Sequence, residues 1–431
     1  MRTPKDQDNE LPMKGKNRVL RKGFSDAEPV RRGSVLKNPK LSATTDSLWS
    51  RFSGRVFDLM KGDSEPGHAD STLLAILIFL ILFGLVVLAS AGSVKSYNDF
   101  DDPYYLIKHQ VLNGLLIGGV AFYIMSHIDY HYWRKYAFPI AVFTLILLFA
   151  VFIPGLGEAR LGAKRWIAIG GFDFQPSEIV KMTFLIYLAA WLEKHGKRIH
   201  DPAYGLMSFV VMMLSLVLLI AVGQKDLGTM IVIGVIAVVV YFVGGAPVKD
   251  LLMIGGGSIV GFLFLVLIPA FRYRLDRILV FFNHDSVDKL GTGLHVHQAL
   301  IAIGSGGFFG LGYGHSLQKY NYLPEVHTDS IFAIISEELG FFFAFGIVVL
   351  FTLFTVRALK IAKNAPDEFG KLLAVGIATW IGFQAVVNIG AMLSLLPLTG
   401  IPLPFISYGS SAMITLLAAV GVLVNISRQT K

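Results

Sequence analysis

Residues 72–92 read TLLAILIFLILFGLVVLASAG, a run of 21 residues without one charged side chain. A helix rises about 1.5 Å per residue, so about 20 apolar residues cross the ~30 Å hydrocarbon core of a bilayer. The stretch therefore reads as a membrane span, and the pattern repeats to the end of the chain. Long apolar runs alternate with short polar loops at about 72–92, 110–126, 137–154, 177–192, 204–222, 227–244, 251–270, 329–355, 371–393 and 404–426. The expected fold is an all-α polytopic membrane protein with about ten transmembrane helices.

The composition agrees. Of 431 residues, 54% are hydrophobic and 16% charged, against about 25% charged in soluble domains. This argues against a soluble enzyme. The chain has no cysteine, which excludes disulfides, thiolate zinc sites and cysteine nucleophiles. The net charge is +8, but 14 of the 38 Lys and Arg fall in residues 1–71. The balance describes a basic tail rather than a nucleic-acid-binding domain. Residues 1–45 have the composition of a disordered segment. Residues 47–61 (SLWSRFSGRVFDLMK) repeat apolar side chains at helical spacing. They read equally well as an interfacial helix on anionic lipid or as a linker helix. The domains are thus the tail, 1–71, and a membrane domain, 72–428.

An even number of spans puts both termini on one side, and charge selects the side. With the tail inside, the inner loops hold 12 Lys and Arg in about 50 residues, whereas 11 are spread over more than 100 outer residues. The positive-inside rule places the termini in the cytoplasm. Two outer loops are then long, 155–176 and 271–328, and long loops in compact proteins are usually functional. Within the second, LHVHQALIAI (294–303) reads as a short amphipathic helix. GSGGFFGLGYG (304–314) follows, its glycines suited to sharp turns.

Ionisable groups inside spans are expensive and point to function. Glu178 and Lys181 lie three apart on one face at the start of the fourth span. Asp226 opens the sixth span and Asp329 the eighth, with Glu337 and Glu338 two turns further in. Arg160, Lys164, Arg165, Arg272, Arg274 and Arg277 occupy the adjoining outer loops. Cations beside a few carboxylates suit a pyrophosphate-bearing substrate, and a lone carboxylate can take a proton from an attacking hydroxyl. The same residues read as structural ion pairs or interface anchors, Glu178–Lys181 foremost, with Asp226 a further partner for Lys181. The glycine stretch follows no strand and is not a nucleotide loop. His295, His297, His315 and His327 lack metal-site spacing. No Walker A lysine motif is present.

Several segments, in order, resemble one family: LGAKRWI (161–167), FQPSEIVK (174–181), QKDLGT (224–229), YRLDRI (273–278), HQALIAIGSGG (297–307), YLPEVHTDSIFAIISEELG (322–340) and PLPFISYGSS (402–411). The chain is similar, over 72–428, to the SEDS family (shape, elongation, division, sporulation), which includes the FtsW and RodA types. The resemblance implies a peptidoglycan glycosyltransferase that polymerises lipid II on the outer face of the bacterial cytoplasmic membrane, releasing undecaprenyl diphosphate. It implies Asp329 as the catalytic aspartate, with Arg165, Glu178, Lys181, Asp226 and Arg277 as substrate-binding charged positions. The cofactor is open, a divalent cation accompanying the pyrophosphate being the candidate. Implied partners are lipid II and the growing glycan strand, a class B penicillin-binding protein, other divisome or elongasome proteins and membrane lipids, with no nucleic acid. The sequence departs from the family pattern at Lys225, His284, Ser330 and Ser410. HSLQKYNYLPE and the long basic tail resemble the division type, PLTGIPLPF the elongation type, and the first is favoured. A lipid II flippase and a scaffold recruiting a partner enzyme are the competing readings.

Overall fold

The computed structural model describes residues 67–160, 163–169, 172–267, 281 and 293–430. The disordered segment expected at 1–45, the helix expected at 47–61, and the loop arginines Arg272, Arg274 and Arg277 lie outside the described residues. Each expected span falls on a helix. These are α1 (Ser71–Ala91), α2 (Tyr105–His127), α3 (Ala137–Ala150), α4 (Pro176–His195), α5 (Leu206–Gly223), α6 (Leu227–Val243) and α7 (Val248–Leu267). After the short helix α8 (Leu294–Ser305) come α9 (Ile331–Lys363), α10 (Glu368–Met392) and α11 (Ser410–Gln429). Six of them (α1, α2, α5, α9, α10 and α11) are long and apolar enough to cross a membrane, and α3 and α6 are shorter apolar helices.

Local chemistry starts the helices where the sequence changes character. Asp70 caps α1 by accepting from the Leu73 amide at 2.9 Å. Pro176 occupies the first turn of α4, where a missing N–H costs nothing. Asp226 caps α6 through the Thr229 amide, 3.1 Å, and Asp367 caps α10 through the Gly370 amide, 2.9 Å. Two segments relax into π-helix, Gln110–Leu116 in α2 and Val217–Gly223 in α5. Both lie at the end of the bundle that carries the charged residues.

Lipid is as apolar as leucine, so helices in a bilayer associate through close packing at small residues and through polar contacts. Gly118 of α2 and Gly421 of α11 illustrate the first. A methyl group on Gly118 would lie 2.7 Å from Leu417 Cδ1, and one on Gly421 2.7 Å from the Phe122 carbonyl. Asn425 illustrates the second, donating to the Ser126 carbonyl at 3.0 Å and accepting from the Tyr130 amide at 3.0 Å.

Two features depart from the loop-and-span reading. Residues 157–160, 163–169 and 172–174 form a three-stranded antiparallel sheet, β1 (Gly157–Arg160), β2 (Ala163–Ile169) and β3 (Phe172–Phe174), in the order β1-β2-β3. Glu158 pairs with Trp166 and Ile167 with Phe174, with a register shift between Glu158 and Ala159. Ala163 and Ile167 are buried, whereas Lys164 and Ala168, each the next residue along, are exposed, as in a half-buried strand whose side chains alternate between faces.

The second departure is a break in α9. Gly340 has φ 78° and ψ −175°, so the helix stops and restarts. The glycine-rich segment after α8 supplies the missing backbone partners. Leu311 and Gly312 amides donate to the Glu337 and Glu338 carbonyls, each at 2.9 Å, and the Phe341 amide donates to the Gly307 carbonyl at 2.9 Å. The glycines permit this approach. A methyl on Gly310 would stand 2.2 Å from the Glu338 carbonyl. The segment is therefore docked on the break and not merely a turn at the membrane surface.

Candidate active site

Asp329 lies just before α9. Ser330, not Asp329, holds the cap position. Its hydroxyl donates to the Pro324 carbonyl at 2.8 Å and meets His295 Nε2 at 2.6 Å. The Asp329 side chain is half-buried and lies over Gly400, where a methyl group would stand 3.3 Å from Oδ2. Gly400 has φ 70°, a conformation that glycine adopts without penalty.

Lys181 and Glu178 form an ion pair of 2.8 Å with side chains only 2% and 6% exposed. The ammonium also faces Gln384 Oε1 at 3.4 Å and the Trp380 ring at 5.1 Å. Gln384 in turn accepts from Trp380 Nε1 at 2.8 Å and donates to the Pro402 carbonyl at 2.9 Å. One helical turn further along α10, Asn388 Nδ2 donates to the Asp329 and Ile401 carbonyls, both at 2.8 Å. The same face of α10 thus touches the buried pair and the Asp329 backbone.

Asp226 does not partner Lys181. Its Oδ2 accepts from Thr229 Oγ1 at 2.9 Å and from Gln175 Nε2 at 3.1 Å, while Oδ1 serves the cap. The physical reason is that α6 needs Asp226 at its first turn and Glu178 is already in contact with the ammonium. Arg165, on β2, spends guanidinium donors on the Gln224 and Lys225 carbonyls at 3.0 and 2.5 Å. It fastens the sheet to the turn before α6, where Lys225 has φ 55°. Arg277 lies outside the described residues.

The segment 399–411 is the hub. Gly400 faces Asp329, Ile401 meets Asn388, Pro402 meets Gln384, and Ser411 Oγ accepts from the Gln175 amide at 3.1 Å. Gly228 of α6 presses on the Thr399 carbonyl, which a methyl there would approach to 2.8 Å. Asp329, the Glu178–Lys181 pair and the neighbours of Asp226 are thereby gathered at one end of the bundle.

Glu337 and Glu338 belong to another cluster. Glu338 Oε1 accepts from Ser90 Oγ at 2.6 Å and Lys319 Nζ at 3.2 Å. Glu337 accepts from Ser316 Oγ at 2.5 Å and the Leu317 amide at 3.0 Å. The five side chains Ser90, Ser316, Lys319, Glu337 and Glu338 are all buried. They latch residues 314–319 to α1 and α9. Nearer Asp329, burial pushes the His327 imidazole below the usual histidine range; Glu325 and Asp99 oppose that shift and Lys95 reinforces it.

Sequence reasoning missed Lys319, Gln384, Asn388 and Ser407, whose hydroxyl donates to the Thr328 carbonyl beside Asp329. Gln384 and Asn388 had a signal, two amides four residues apart in an otherwise apolar span. Buried amides in lipid need partners, and Gln384 and the Asn388 Nδ2 group have them.

A membrane helix bundle with an acidic, partly accessible end defines a class, the polytopic membrane proteins. Comparison narrows it. Residues 70–431 match the family model FTSW_RODA_SPOVE, described as "Cell cycle protein", and the chain belongs to that family. It is 41% identical over 367 residues, 85% of this chain and 97% of the relative, to "Probable peptidoglycan glycosyltransferase FtsW" of Geobacter sulfurreducens. It is 40% identical over 362 residues, 84% and 98% of the two chains, to "Stage V sporulation protein E" of Bacillus subtilis. A solved chain described under "Structural coordination of polymerization and crosslinking by a peptidoglycan synthase complex" superposes with a TM-score of 0.69 at 27% identity, covering 84% of this chain and 98% of that one.

Proposed function

We propose that the protein is a peptidoglycan glycosyltransferase that polymerises lipid II at the outer face of the bacterial cytoplasmic membrane, in the division branch of its family. The carrying observation is the convergence, through residues 399–411, of Asp329, the Glu178–Lys181 pair and the Asp226 cap at one end of a membrane bundle. Family membership and the names of the relatives supply the reaction class.

In this reading the C4 hydroxyl of one disaccharide attacks C1 of the growing strand's lipid-linked sugar. The O4–C1 bond forms, the bond from C1 to the pyrophosphate oxygen breaks, and undecaprenyl diphosphate leaves. The proton passes to the Asp329 carboxylate. An ordinary aspartate, with a pKa of about 3.9, is a weak base toward a free alcohol. The hydroxyl becomes acidic only as the new bond forms, so proton transfer belongs to the transition state, where such a base contributes about 10²–10⁴-fold. Arg165 and Arg277 attract the pyrophosphate, while Lys181, Glu178 and Asp226 shape the cleft wall. A divalent cation with the pyrophosphate is a further part of the proposal. The partner is a class B penicillin-binding protein among other division proteins, and the location is the division septum.

Purified protein with fluorescent lipid II tests the reading. Wild type is expected to make glycan polymer, and Asp329→Asn to fold normally and make none. Near-normal polymerisation by Asp329→Asn would remove the base assignment. One observation favours a second reading, a lipid II transporter: the helix break at Gly340 beside two carboxylates is a feature of transporter sites. Those carboxylates are, however, engaged by Ser90, Ser316 and Lys319. Translocation of labelled lipid II without polymer would select that reading.

A further inference from the structure

Three consecutive carbonyls, those of His327, Thr328 and Asp329, each accept a hydrogen bond from elsewhere in the chain. The Tyr408 amide donates to the His327 carbonyl at 2.8 Å. Ser407 Oγ donates to the Thr328 carbonyl at 2.6 Å. Asn388 Nδ2 donates to the Asp329 carbonyl at 2.8 Å. The tripeptide belongs to no helix or strand, so these bonds stand where a regular ladder would otherwise fix its backbone.

Both side-chain donors are buried, Ser407 6% and Asn388 2% exposed, and both are tied a second time. Ser407 Oγ accepts from the Leu403 amide at 2.8 Å. The other Asn388 Nδ2 hydrogen serves the Ile401 carbonyl at 2.8 Å. Each therefore binds the tripeptide 327–329 and the 400–408 segment together. Gly400, against which the Asp329 carboxylate rests, lies in that segment. The clamp fixes the carboxylate and the surface beneath it as one unit.

We propose that Ser407 and Asn388 are positioning residues that hold the Asp329 carboxylate in its working geometry. This rests on the reading of Asp329 as the base. A base must stand within hydrogen-bond reach of the proton it takes, and a displacement of about 1 Å can cost about 100-fold in rate. Neither residue touches the reacting atoms in this scheme. Their contribution belongs to kcat rather than to substrate binding.

The test compares wild type, Ser407→Ala, Ser407→Thr, Asn388→Ala and Asp329→Asn in lipid II polymerisation, thermal unfolding and amide hydrogen exchange. Ser407→Ala is expected to lower kcat by about 10- to 100-fold, with KM within about twofold, while the loss of two buried hydrogen bonds lowers the thermal midpoint only modestly. Ser407→Thr, which keeps the hydroxyl, is expected to recover most of the rate. Exchange of residues 327–330 is expected to rise in Ser407→Ala and Asn388→Ala while α10 and α11 stay protected. If Ser407→Ala fails to fold, Asn388→Ala carries the same comparison. Wild-type kcat in both alanine variants, or a rate loss with no rise in exchange at 327–330, would overturn the proposal. If wild type made no polymer, or Asp329→Asn kept its rate, the functional reading would fall instead. Unchanged exchange at 327–330 would then still refute the clamp.

Discussion

Gly340 and Gly310 face each other across the break in α9, so closely that a methyl group on Gly340 would stand 2.3 Å from the Gly310 nitrogen. Gly340 also needs its positive φ of 78°. Gly340→Ala is therefore strained in backbone, by about 1–3 kcal/mol, and clashes with a backbone that has nowhere to retreat. It is expected to lower the thermal midpoint sharply or to prevent accumulation. Gly346→Ala, in the same helix with open space around it, is expected to be neutral. Equal behaviour of the two variants would refute the docking of the glycine segment.

Removing one member of the buried Lys181–Glu178 pair leaves the other charge uncompensated, at a cost of about 3–5 kcal/mol. Lys181→Met is expected to lose both thermal stability and activity. The double variant Glu178→Gln with Lys181→Met is expected to recover stability but not activity. Normal stability of Lys181→Met in a melting experiment would show that the pair has no structural share.

His327 gives a pH dependence with a definite sign. Its folded pKa is lowered from the ordinary 6.5, chiefly by burial. The folded state then binds fewer protons than the unfolded state, so stability rises with pH. The contribution is complete above about 6.5 and is lost as pH falls through the folded value below it. Melting midpoints of wild type and His327→Gln, followed from pH 7.5 to about 5, are expected to diverge, with the variant flatter. Parallel curves would exclude His327 as the source.

The native chain has no cysteine, so single cysteines report topology without background. Tyr322, 61% exposed, lies in the loop before α9, and Tyr204, 53% exposed, lies between α4 and α5. A cysteine at Tyr322 is expected to react with an impermeant reagent in intact cells, and one at Tyr204 only after permeabilisation. The reverse pattern would place the charged end of the bundle in the cytoplasm.

The helices were legible because a bilayer demands long uncharged segments, and the run at 72–92 announces itself. The helix at 294–303 was legible from its period. The strands were not, because β1 and β3 are four and three residues long and a register shift interrupts the pairing. Gly340 was invisible as a break, since one glycine inside an apolar run is ordinary in a membrane helix. The charged residues drew attention to Asp329 and to the Glu178–Lys181 pair. Charge alone could not show that Arg165 also holds the backbone at Gln224 and Lys225, or that Asp226 also caps a helix. It also passed over Asn388 and Ser407, whose part depends on carbonyls that no side-chain pattern records.

The latch around Glu338 bears on how the protein is made. Its hydrogen-bond donors come from Ser90 in α1 and from Lys319, 19 residues upstream. Until both are in place, the half-helix from Ile331 to Leu339 carries two carboxylates into a medium that opposes them. The segment is thus not an autonomous unit for the insertion machinery. Both donors precede Glu338 in the chain, so the half-helix finds its partners only where helix α1 and residues 314–319 already lie beside it.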